Sequence, residues 1–293
     1  MATNVPSSLH SLDKEFRFLS ISIPIGLPQV VIVTLNRPKK RNAISAVMWK
    51  EIGAVFSSLG RMGDDCRCVI IKGEGKAFSA GLDISDPSIL MDDKEGPDDP
   101  ARRGLSFLPK IREMQHCLTA IEECPVPVIA AIHGNCIGAG VDLATCCDIR
   151  LAQIGSIFSV REVQIGLAAD VGTLQRLPKI TGNDSRVREL CYTGNYFDCN
   201  EALAIGLVSR VCEDVVTDAI ELATKIAANS PVAVMGTKRS LLYSRDHTVA
   251  EGLEHIANHN ALALMTSDIP SSFMAVANKE KPTFSPLPPA SRL

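Results

Sequence analysis

The amino-acid sequence predicts an α/β protein in which buried strands alternate with helices and an all-helical region follows. Short runs of continuous apolar residues recur through the front part of the 293-residue chain, each followed by a turn and then a helical pattern. Such runs are typical of strands in a sheet that is covered on both faces. From residue 215 onward the apolar spacing is helical, without a convincing strand.

Each element follows from a local pattern of apolar and turn-forming residues. The predicted strands lie at 30–35, 68–72, 126–132, 148–152 and 207–212. The predicted helices lie at 45–60, 110–123, 138–146, 171–181, 184–193, 216–229, 231–244, 248–265 and 268–279. Residues 92–103 are charged and contain proline and glycine, so we predict a mobile surface segment there.

We expect three regions along the chain. A strand-and-helix core occupies residues 14–214, a helical oligomerisation region occupies 215–281, and a flexible tail that is rich in proline occupies 282–293. The last helices carry an apolar stripe that includes Leu253, Ile256 and Leu264, and a neighbouring subunit can cover it.

Composition and charge argue against several classes of protein. The formal net charge is −3, aromatic residues are scarce, and no basic cluster stands out, so we expect no nucleic-acid partner. No window approaches about 20 consecutive apolar residues, which argues against a membrane span. The ten cysteines lack C-x-x-C spacing, so we interpret them as small buried side chains in a reducing compartment and expect no metal site. His255 and His259 have a spacing that can bind zinc, but a solvated or interface role is favoured.

The two ends of the chain bear on localisation. Residues 1–12 contain no basic residue and no long apolar run, so they resemble neither a signal peptide nor a transit peptide. The chain ends in Ser291-Arg292-Leu293, a close variant of the peroxisomal signal Ser-Lys-Leu. We therefore expect a peroxisomal protein that binds the import receptor through this tripeptide.

Two turns rich in glycine and small residues can present free backbone N–H groups. The first is Phe78 to Ile84, which follows a strand, and the second is Gly134 to Gly140, which leads into the predicted short helix. The first N–H groups of a helix have no partner within it, so two such turns together could stabilise an oxyanion. A phosphate-binding loop and a plain tight turn are the alternatives, but Gly138-Ala139-Gly140 lacks the Walker and G-x-G-x-x-G patterns.

Three carboxylates follow the second turn and are candidates for proton transfer: Asp142, Glu162 and Asp170. Asp170 lies among apolar residues, which is unusual for a solvated face. The alternatives are a helix N-cap for Asp170, a favourable charge at a helix N-terminus for Asp142, and a surface ion pair for Glu162. The residues alone leave these alternatives open.

Together these segments resemble the crotonase (enoyl-CoA hydratase/isomerase) superfamily from residue 30 to about 281. The landmarks in order are Leu35-Asn36-Arg37-Pro38, Asn42-Ala43, Lys76 to Asp83, Pro127 to Asp148, Glu162, Gly166-Leu167, Gly172 to Pro178, Ala202, Gly206-Leu207-Val208 and Val211. The resemblance implies a spiral of β-β-α units, a C-terminal trimerisation region and a hexamer built from two trimers. It also implies an acyl-CoA substrate and no cofactor beyond the coenzyme A (CoA) of that substrate.

The resemblance also implies the positions of the binding groups. The thioester oxygen of the substrate is expected between the backbone N–H groups of Leu82 and Ala139, although the family often has glycine where this chain has Ala139. The residues expected to hold the CoA moiety are Ala43, Lys76, Ala80, Gly81, Leu82, Asp83, Ile84 and Ala139.

Within this family the acids distinguish the reactions. Hydratases typically have glutamate at the positions of Asp142 and Glu162, and glycine at the position of Asp170. The three acids of this chain, with the run from 166 to 179, resemble the dienoyl-CoA isomerase branch. This implies conversion of a 3,5-dienoyl-CoA to a 2,4-dienoyl-CoA in fatty-acid β-oxidation, with Glu162 and Asp170 as the proton-transfer pair and Asp142 assisting. Which of the pair acts at C2 is open, and the alternatives are an enoyl-CoA hydratase or a non-catalytic binding protein of this fold.

Overall fold

The structure is a computed structural model that describes residues 16–90 and 99–288. The predictions for residues 1–12, for 92–98 and for the C-terminal tripeptide lie outside the described residues. Nine strands are described: β1 (Leu19–Ser22), β2 (Val30–Leu35), β3 (Cys68–Gly73), β4 (Val128–Ile132), β5 (Asn135–Ile137), β6 (Ile149–Gln153), β7 (Ile157–Ser159), β8 (Phe197–Asp198) and β9 (Arg210–Cys212).

The described residues also form helices of widely different length. They are α1 (Ala46–Leu59), α2 (Pro87–Leu90), α3 (Pro100–Glu123), α4 (Ala139–Cys146), α5 (Thr173–Ile180), α6 (Asp184–Thr193), α7 (Cys199–Ala204), α8 (Val215–Ala227), α9 (Pro231–Ser244), α10 (Val249–Ala263) and α11 (Asp268–Asn278). Short 3-10 helices lie at Pro38–Lys40, Gly63–Asp65 and Glu162–Ile165.

The larger sheet has the strand order β1-β2-β3-β4-β6-β9, and all neighbours pair in parallel except the antiparallel pair β1–β2. Alternate residues of its strands pack into two separate hydrophobic cores. Val31 and Val33 of β2 pack with α1, α3 and α4, whereas Val30 and Ile32 pack with the alanine-rich face of α8. Helices on both faces explain why these strands are continuously apolar.

A smaller sheet has the strand order β5-β7-β8. The chain passes from β4 in the large sheet to β5 in the small sheet and then into α4, and the next turn repeats this order with β6, β7 and α5. This confirms the predicted α/β spiral of β-β-α units. The small sheet was not predicted, because strands of two or three residues are too short to show periodicity.

Two helix boundaries differ from the prediction in ways that bear on function. Helix α3 begins at Pro100 instead of 110, so residues 100–103 lie on the surface as predicted but are helical. Asp99 accepts a hydrogen bond from the N–H of Ala101, and proline at the first helical position is well tolerated. Helix α5 begins at Thr173 instead of 171.

The C-terminal helices α9, α10 and α11 confirm the helical pattern, and α9 has the predicted bounds. They leave many large apolar side chains exposed, among them Leu241, Leu253, Leu262, Leu264, Met265, Phe273, Met274 and Val276. Such a surface is more than scattered single residues and fits a covered face in an assembly. Among the helices of residues 16–90 and 99–288, none has both the length and the apolar character needed to cross a membrane.

Candidate active site

Two backbone segments, one after β3 and one around β5, run side by side in parallel and form one wall of the site. The segment after β3 is fixed on one side by hydrogen bonds from Phe78 N to His133 O at 2.8 Å and from Ile137 N to Ser79 O at 3.0 Å. On its other side, Ile44 N donates to Gly81 O at 2.8 Å. The two turns that the sequence analysis singled out therefore lie against each other.

The backbone N–H groups of Leu82 and Ala139 lie at this junction without a hydrogen-bond partner among the described residues. Within the described part of the chain neither N–H donates to a protein acceptor. Ala139 is the first residue of α4, where the N–H has no partner inside the helix. A Cβ placed on Gly81 would lie 3.6 Å from Ala139 N and 2.7 Å from Ile137 O, so only glycine allows this approach. The arrangement can donate two hydrogen bonds to one oxygen.

A cavity of about 530 Å³ opens beside these donors. Its wall includes the three candidate acids and most of the residues that the sequence analysis assigned to CoA binding. Those wall residues are Ala43, Ala80, Gly81, Leu82, Asp83, Ile84, Ala139, Asp142, Glu162 and Asp170. Lys76 is the exception: it is exposed and does not line the cavity.

Glu162 begins a 3-10 helix, and its carboxylate lies next to the second turn. A Cβ on Gly138 would be 3.1 Å from Glu162 Oε1, and Gly138 directly precedes the donor Ala139. Oε2 is buried and has no hydrogen-bond partner in the described residues, and no ion pair among them involves Glu162. The alternative of a surface ion pair is therefore wrong. Burial and the like charge of Asp142 raise the pKa of Glu162 to about 7.

Asp142 is almost completely buried in the first turn of α4. Its Oδ1 accepts a 2.6 Å hydrogen bond from the backbone N–H of Thr173, at the start of α5, while Oδ2 has no partner in the described residues. Burial raises the pKa of Asp142 to about 6, against hydrogen bonding from Thr173. A carboxylate in this position can accept further hydrogen bonds or influence the protonation of its neighbours.

Asp170 lies in the loop before α5 and is exposed toward the cavity. The N-cap of α5 is Gly172 and no side chain caps it, so the N-cap alternative for Asp170 is wrong. Its backbone oxygen accepts a 2.6 Å hydrogen bond from Gln115 of α3. Partial burial raises the pKa of Asp170, and its charge in turn raises the pKa values of Asp142 and Glu162. The three acids therefore form one coupled group.

Asp83 reaches the cavity wall, but its carboxylate is occupied by the protein. Arg37 Nη2 donates to Oδ2 at 2.8 Å, and the Ser85 hydroxyl donates to Oδ1 at 2.6 Å. Hydrogen bonds from Ser85 and Arg37 lower the pKa of Asp83. Its side chain therefore stabilises the first turn, and any contact with a ligand would come from its remaining surface.

The sequence analysis missed one wall of the cavity, which four large apolar side chains form: Trp49, Ile89, Phe107 and Met114. They come from α1, α2 and α3, and Trp49 Nε1 donates to Met114 O at 2.8 Å. Phe107 lies in a part of α3, between residues 103 and 110, for which no element was predicted. The helix start at Asp99-Pro100 was the available signal for it.

The cysteine and histidine residues in the described part of the chain lie outside the cavity. The described cysteines are free thiols, and in that part of the chain no group of three His, Cys, Asp or Glu residues is placed to hold a metal ion. The His255 ring packs on Tyr243 of α9 at 4.0 Å between ring centroids.

The geometry agrees with what the chain resembles among known proteins. Residues 28–286 match the family model described as enoyl-CoA hydratase/isomerase. The chain is 48% identical to human mitochondrial Δ3,5-Δ2,4-dienoyl-CoA isomerase over 92% of this chain and 83% of that protein. It is 40% identical to the peroxisomal Δ3,5-Δ2,4-dienoyl-CoA isomerase of Arabidopsis thaliana over 86% of this chain and 91% of that protein.

A solved structure supports the same relationship at the level of the fold. The crystal structure of enoyl-CoA hydratase from Bacillus anthracis superposes with a TM-score of 0.82 and 28% sequence identity, covering 92% of this chain and 99% of that chain. The family model spans every described strand except β1, and it includes the C-terminal helices. The chain therefore belongs to the enoyl-CoA hydratase/isomerase family.

Proposed function

We propose that the chain is a Δ3,5-Δ2,4-dienoyl-CoA isomerase of fatty-acid β-oxidation. The observation that carries the proposal is the arrangement of Glu162, Asp142 and Asp170 around one cavity, beside two free backbone donors. The names of the relatives from human and Arabidopsis support it. Coenzyme A enters as part of the substrate, and the reaction uses no further cofactor.

The reaction needs a proton removed at C2 and a proton added at C6. Removal of the C2 proton leaves an extended enolate, whose negative oxygen accepts hydrogen bonds from Leu82 N–H and Ala139 N–H. Each such donor is typically worth about 3–4 kcal/mol in the transition state. When the enolate collapses, the C2–C3 and C4–C5 bonds become double and the pair of the C5–C6 double bond takes a proton at C6. The two double bonds thus move by one carbon each.

We assign the C2 step to Glu162 and the C6 step to Asp170. C2 is bonded to the thioester carbon, so its base must lie beside the oxyanion donors, and Glu162 lies against Gly138, next to Ala139. C6 is four bonds further from C2 along the acyl chain, and Asp170 lies in a different loop of the same cavity. A base with a pKa near 7, as Glu162 has, is well matched to proton transfer at neutral pH. Asp142 assists through its charge and its unpartnered oxygen.

The substrate assay tests the proposal against its nearest rival. Purified protein is given 3,5-dienoyl-CoA and, separately, crotonyl-CoA with water as the second reactant. We expect rapid formation of the conjugated 2,4-dienoyl-CoA chromophore and slow or no hydration. Hydration without isomerisation would instead support an enoyl-CoA hydratase, and binding without either reaction would support a non-catalytic protein.

We propose a peroxisomal location and recognition by the import receptor through Ser291-Arg292-Leu293. The peroxisomal relative of Arabidopsis supports the location, whereas the human relative is named mitochondrial. The untagged full chain and a variant without Leu293 are expressed in cells and located with an antibody. We expect peroxisomal staining that is lost in the variant, and mitochondrial staining of the full chain would contradict the proposal.

We propose further that the chain forms a trimer or hexamer through 215–281. The exposed apolar residues of α9, α10 and α11 support this, since subunit contact would cover them. Light scattering on the eluting protein gives the mass directly, with 31.5 kDa per subunit. A monomer at micromolar concentration would contradict the assembly.

A further inference from the structure

A group of charged and polar side chains lies behind the Asp142 carboxylate and does not line the cavity. Its members are Arg176 on α5, Glu122 and Thr119 on α3, and Arg245 directly after α9. Because these residues do not line the cavity, an effect on the reaction would be indirect, and Asp142 is the candidate acid with which Arg176 interacts. The inference rests on the proposed function.

Arg176 is held by α3 through several hydrogen bonds. Its Nε and Nη2 donate to Glu122 Oε2 at 3.1 and 2.9 Å, and Nη2 also donates to Thr119 Oγ1 at 3.1 Å. Arg245 binds the other oxygen of Glu122. Burial opposes the ionisation of Glu122, but the hydrogen bonds from Arg245 and Arg176 outweigh it and lower the pKa. Glu122 is therefore an anion that fixes the guanidinium, and charge-assisted bonds of this kind are strong.

Arg176 is linked to Asp142 by both the backbone and charge. It lies one turn after Thr173, and its own N–H donates to Gly172 O at 2.9 Å. The guanidinium covers Gly172 so closely that a Cβ there would overlap it. Anchoring Arg176 on α3 thus fixes the first turn of α5, whose Thr173 N–H binds Asp142.

The charges around Asp142 give Arg176 a second effect. Glu162 and Asp170 are the acids that interact with Asp142. Burial and the charge of Asp142 raise the pKa values of the Cys136, Cys146 and Cys191 thiols, so these thiols stay neutral. The positive charge of Arg176 opposes the negative charges of the acids and lowers the pKa of Asp142. Loss of the guanidinium would therefore both release the start of α5 and favour the neutral form of Asp142.

We propose that Arg176, fixed by Glu122, is a positioning residue that orients the Asp142 carboxylate for the isomerase reaction. Arg176→Met removes the charge and the hydrogen bonds while it keeps much of the length of the side chain. We expect kcat to fall about 10- to 100-fold, as small misplacements in active sites do, with KM changed less than about twofold. Arg188→Met is the matched control, because Arg188 pairs with Asp184 on the exposed face of α6. The control should retain the activity of the wild type.

A double-mutant cycle with Asp142→Asn separates positioning from general damage. If Arg176 acts through Asp142, adding Arg176→Met to Asp142→Asn should reduce kcat only a little further. The effects of the two substitutions on kcat should therefore be strongly non-additive. If the losses are additive, or if Arg176→Met alone has the kcat of the wild type, the proposal for Arg176 is overturned. The isomerase activity of the wild type is unaffected by either outcome. If the wild type shows no isomerase activity, the proposed function itself fails.

Two further variants keep the test decisive if Arg176→Met does not fold. Glu122→Gln leaves Arg176 in place but weakens its anchor, and Arg176→Lys keeps the charge but cannot make the same set of hydrogen bonds. Each is combined with Asp142→Asn and judged by the same criterion, after near-ultraviolet circular dichroism has shown a native fold. We expect Arg176→Lys to retain more kcat than Arg176→Met, because the lysine still opposes the negative charges.

Discussion

Oε1 of Glu162 lies 3.1 Å from the position that a Cβ on Gly138 would occupy. This proximity connects the proposed base to the oxyanion donor of the next residue, Ala139. Gly138 has φ +51°, so its backbone conformation also favours glycine. A single glycine therefore permits both the turn and the close approach of the carboxylate.

Gly138→Ala should reduce kcat about 10- to 100-fold, because the added methyl group must displace Glu162 or the turn. Gly155→Ala is the matched control: Gly155 also has positive φ, at +83°, but nothing lies within 4 Å of its Cβ position. Both variants should lose about 1–2 kcal/mol of unfolding free energy from the left-handed conformation. Equal kcat in the two variants would show that the contact with Glu162 is unimportant.

Hydrogen exchange in D2O should identify the acid that acts at C2. Glu162→Gln should lose both isomerisation and deuterium uptake at C2 of a 3,5-dienoyl-CoA, with isomerisation reduced about 10²–10⁴-fold. Asp170→Asn should abolish isomerisation while it retains exchange at C2 and nearly normal binding of acyl-CoA. The readout is mass spectrometry of recovered substrate. If Asp170→Asn stops exchange and Glu162→Gln does not, the two roles are reversed.

Ala139→Pro tests the oxyanion donor directly. Proline removes the N–H, and at the first position of a helix it is structurally tolerated. We expect kcat to fall about 10²–10³-fold with the helix intact. Val249→Pro makes the same change at the first position of α10. Val249 is exposed and does not line the cavity, so this variant should have the kcat of the wild type. A similar kcat in both variants would argue against a role for the Ala139 N–H.

The pH profile should follow the ionisation of Glu162. Its pKa is raised to about 7, and a base must be ionised, so kcat/KM should fall about tenfold per pH unit on the acid side of that value. Asp142→Asn removes a like charge, so ionisation of Glu162 becomes easier and the acid limb should move to lower pH. Stopped-flow measurements from pH 5 to 9, a range of about four units around the Glu162 value, give the position of the acid limb in the wild type and in the variant. An unmoved acid limb would mean that Asp142 does not influence the base.

The raised pKa of Asp142 also predicts how stability depends on pH. Burial raises it to about 6 in the folded protein, against roughly 3.9 in an unfolded chain, so the folded state binds the proton more tightly. Because of this group, the free energy of unfolding of the wild type should therefore fall by about 3 kcal/mol as pH rises from roughly 4 to 7. The free energy of unfolding of Asp142→Asn should lack this fall, and urea unfolding at both pH values measures the difference.

Asp214→Asn supplies a control of opposite sign for the stability experiment. Asp214 caps α8, and hydrogen bonds from Thr217 lower its pKa. The Asp214 carboxylate therefore stabilises the fold above its unfolded pKa, and this stabilisation is lost in acid. Relative to the wild type, the variant should have a lower free energy of unfolding at neutral pH, and the difference should shrink in acid. If both variants respond to pH in the same direction, the assignment of a raised pKa to Asp142 is wrong.

Much of the molecule could be predicted from local patterns in the sequence. The parallel strands were recognisable because their residues are apolar on both faces, and the bounds of α6 and α9 matched the prediction because clear N-caps, Asn183 and Ser230, begin them. The glycine turns and the three acids were also identified as a group. The division of the chain into three regions and the assembly remain predictions.

Local patterns could not assign the interactions that join distant segments. The sequence alone determined which residue types were available: glycines that allow tight turns, backbone N–H groups at a helix start, and three acids in apolar surroundings. Only the tertiary structure placed Gly81 against Ala139, brought Leu82 and Ala139 to one cavity, and left their N–H groups without partners among the described residues. It also excluded the alternative of an N-cap role for Asp170, and at the start of the same helix the Thr173 N–H donates instead to Asp142, 31 residues away in the sequence. These contacts depend on how the two sheets bring remote turns together, and burial at that junction is what raises the pKa values of the acids.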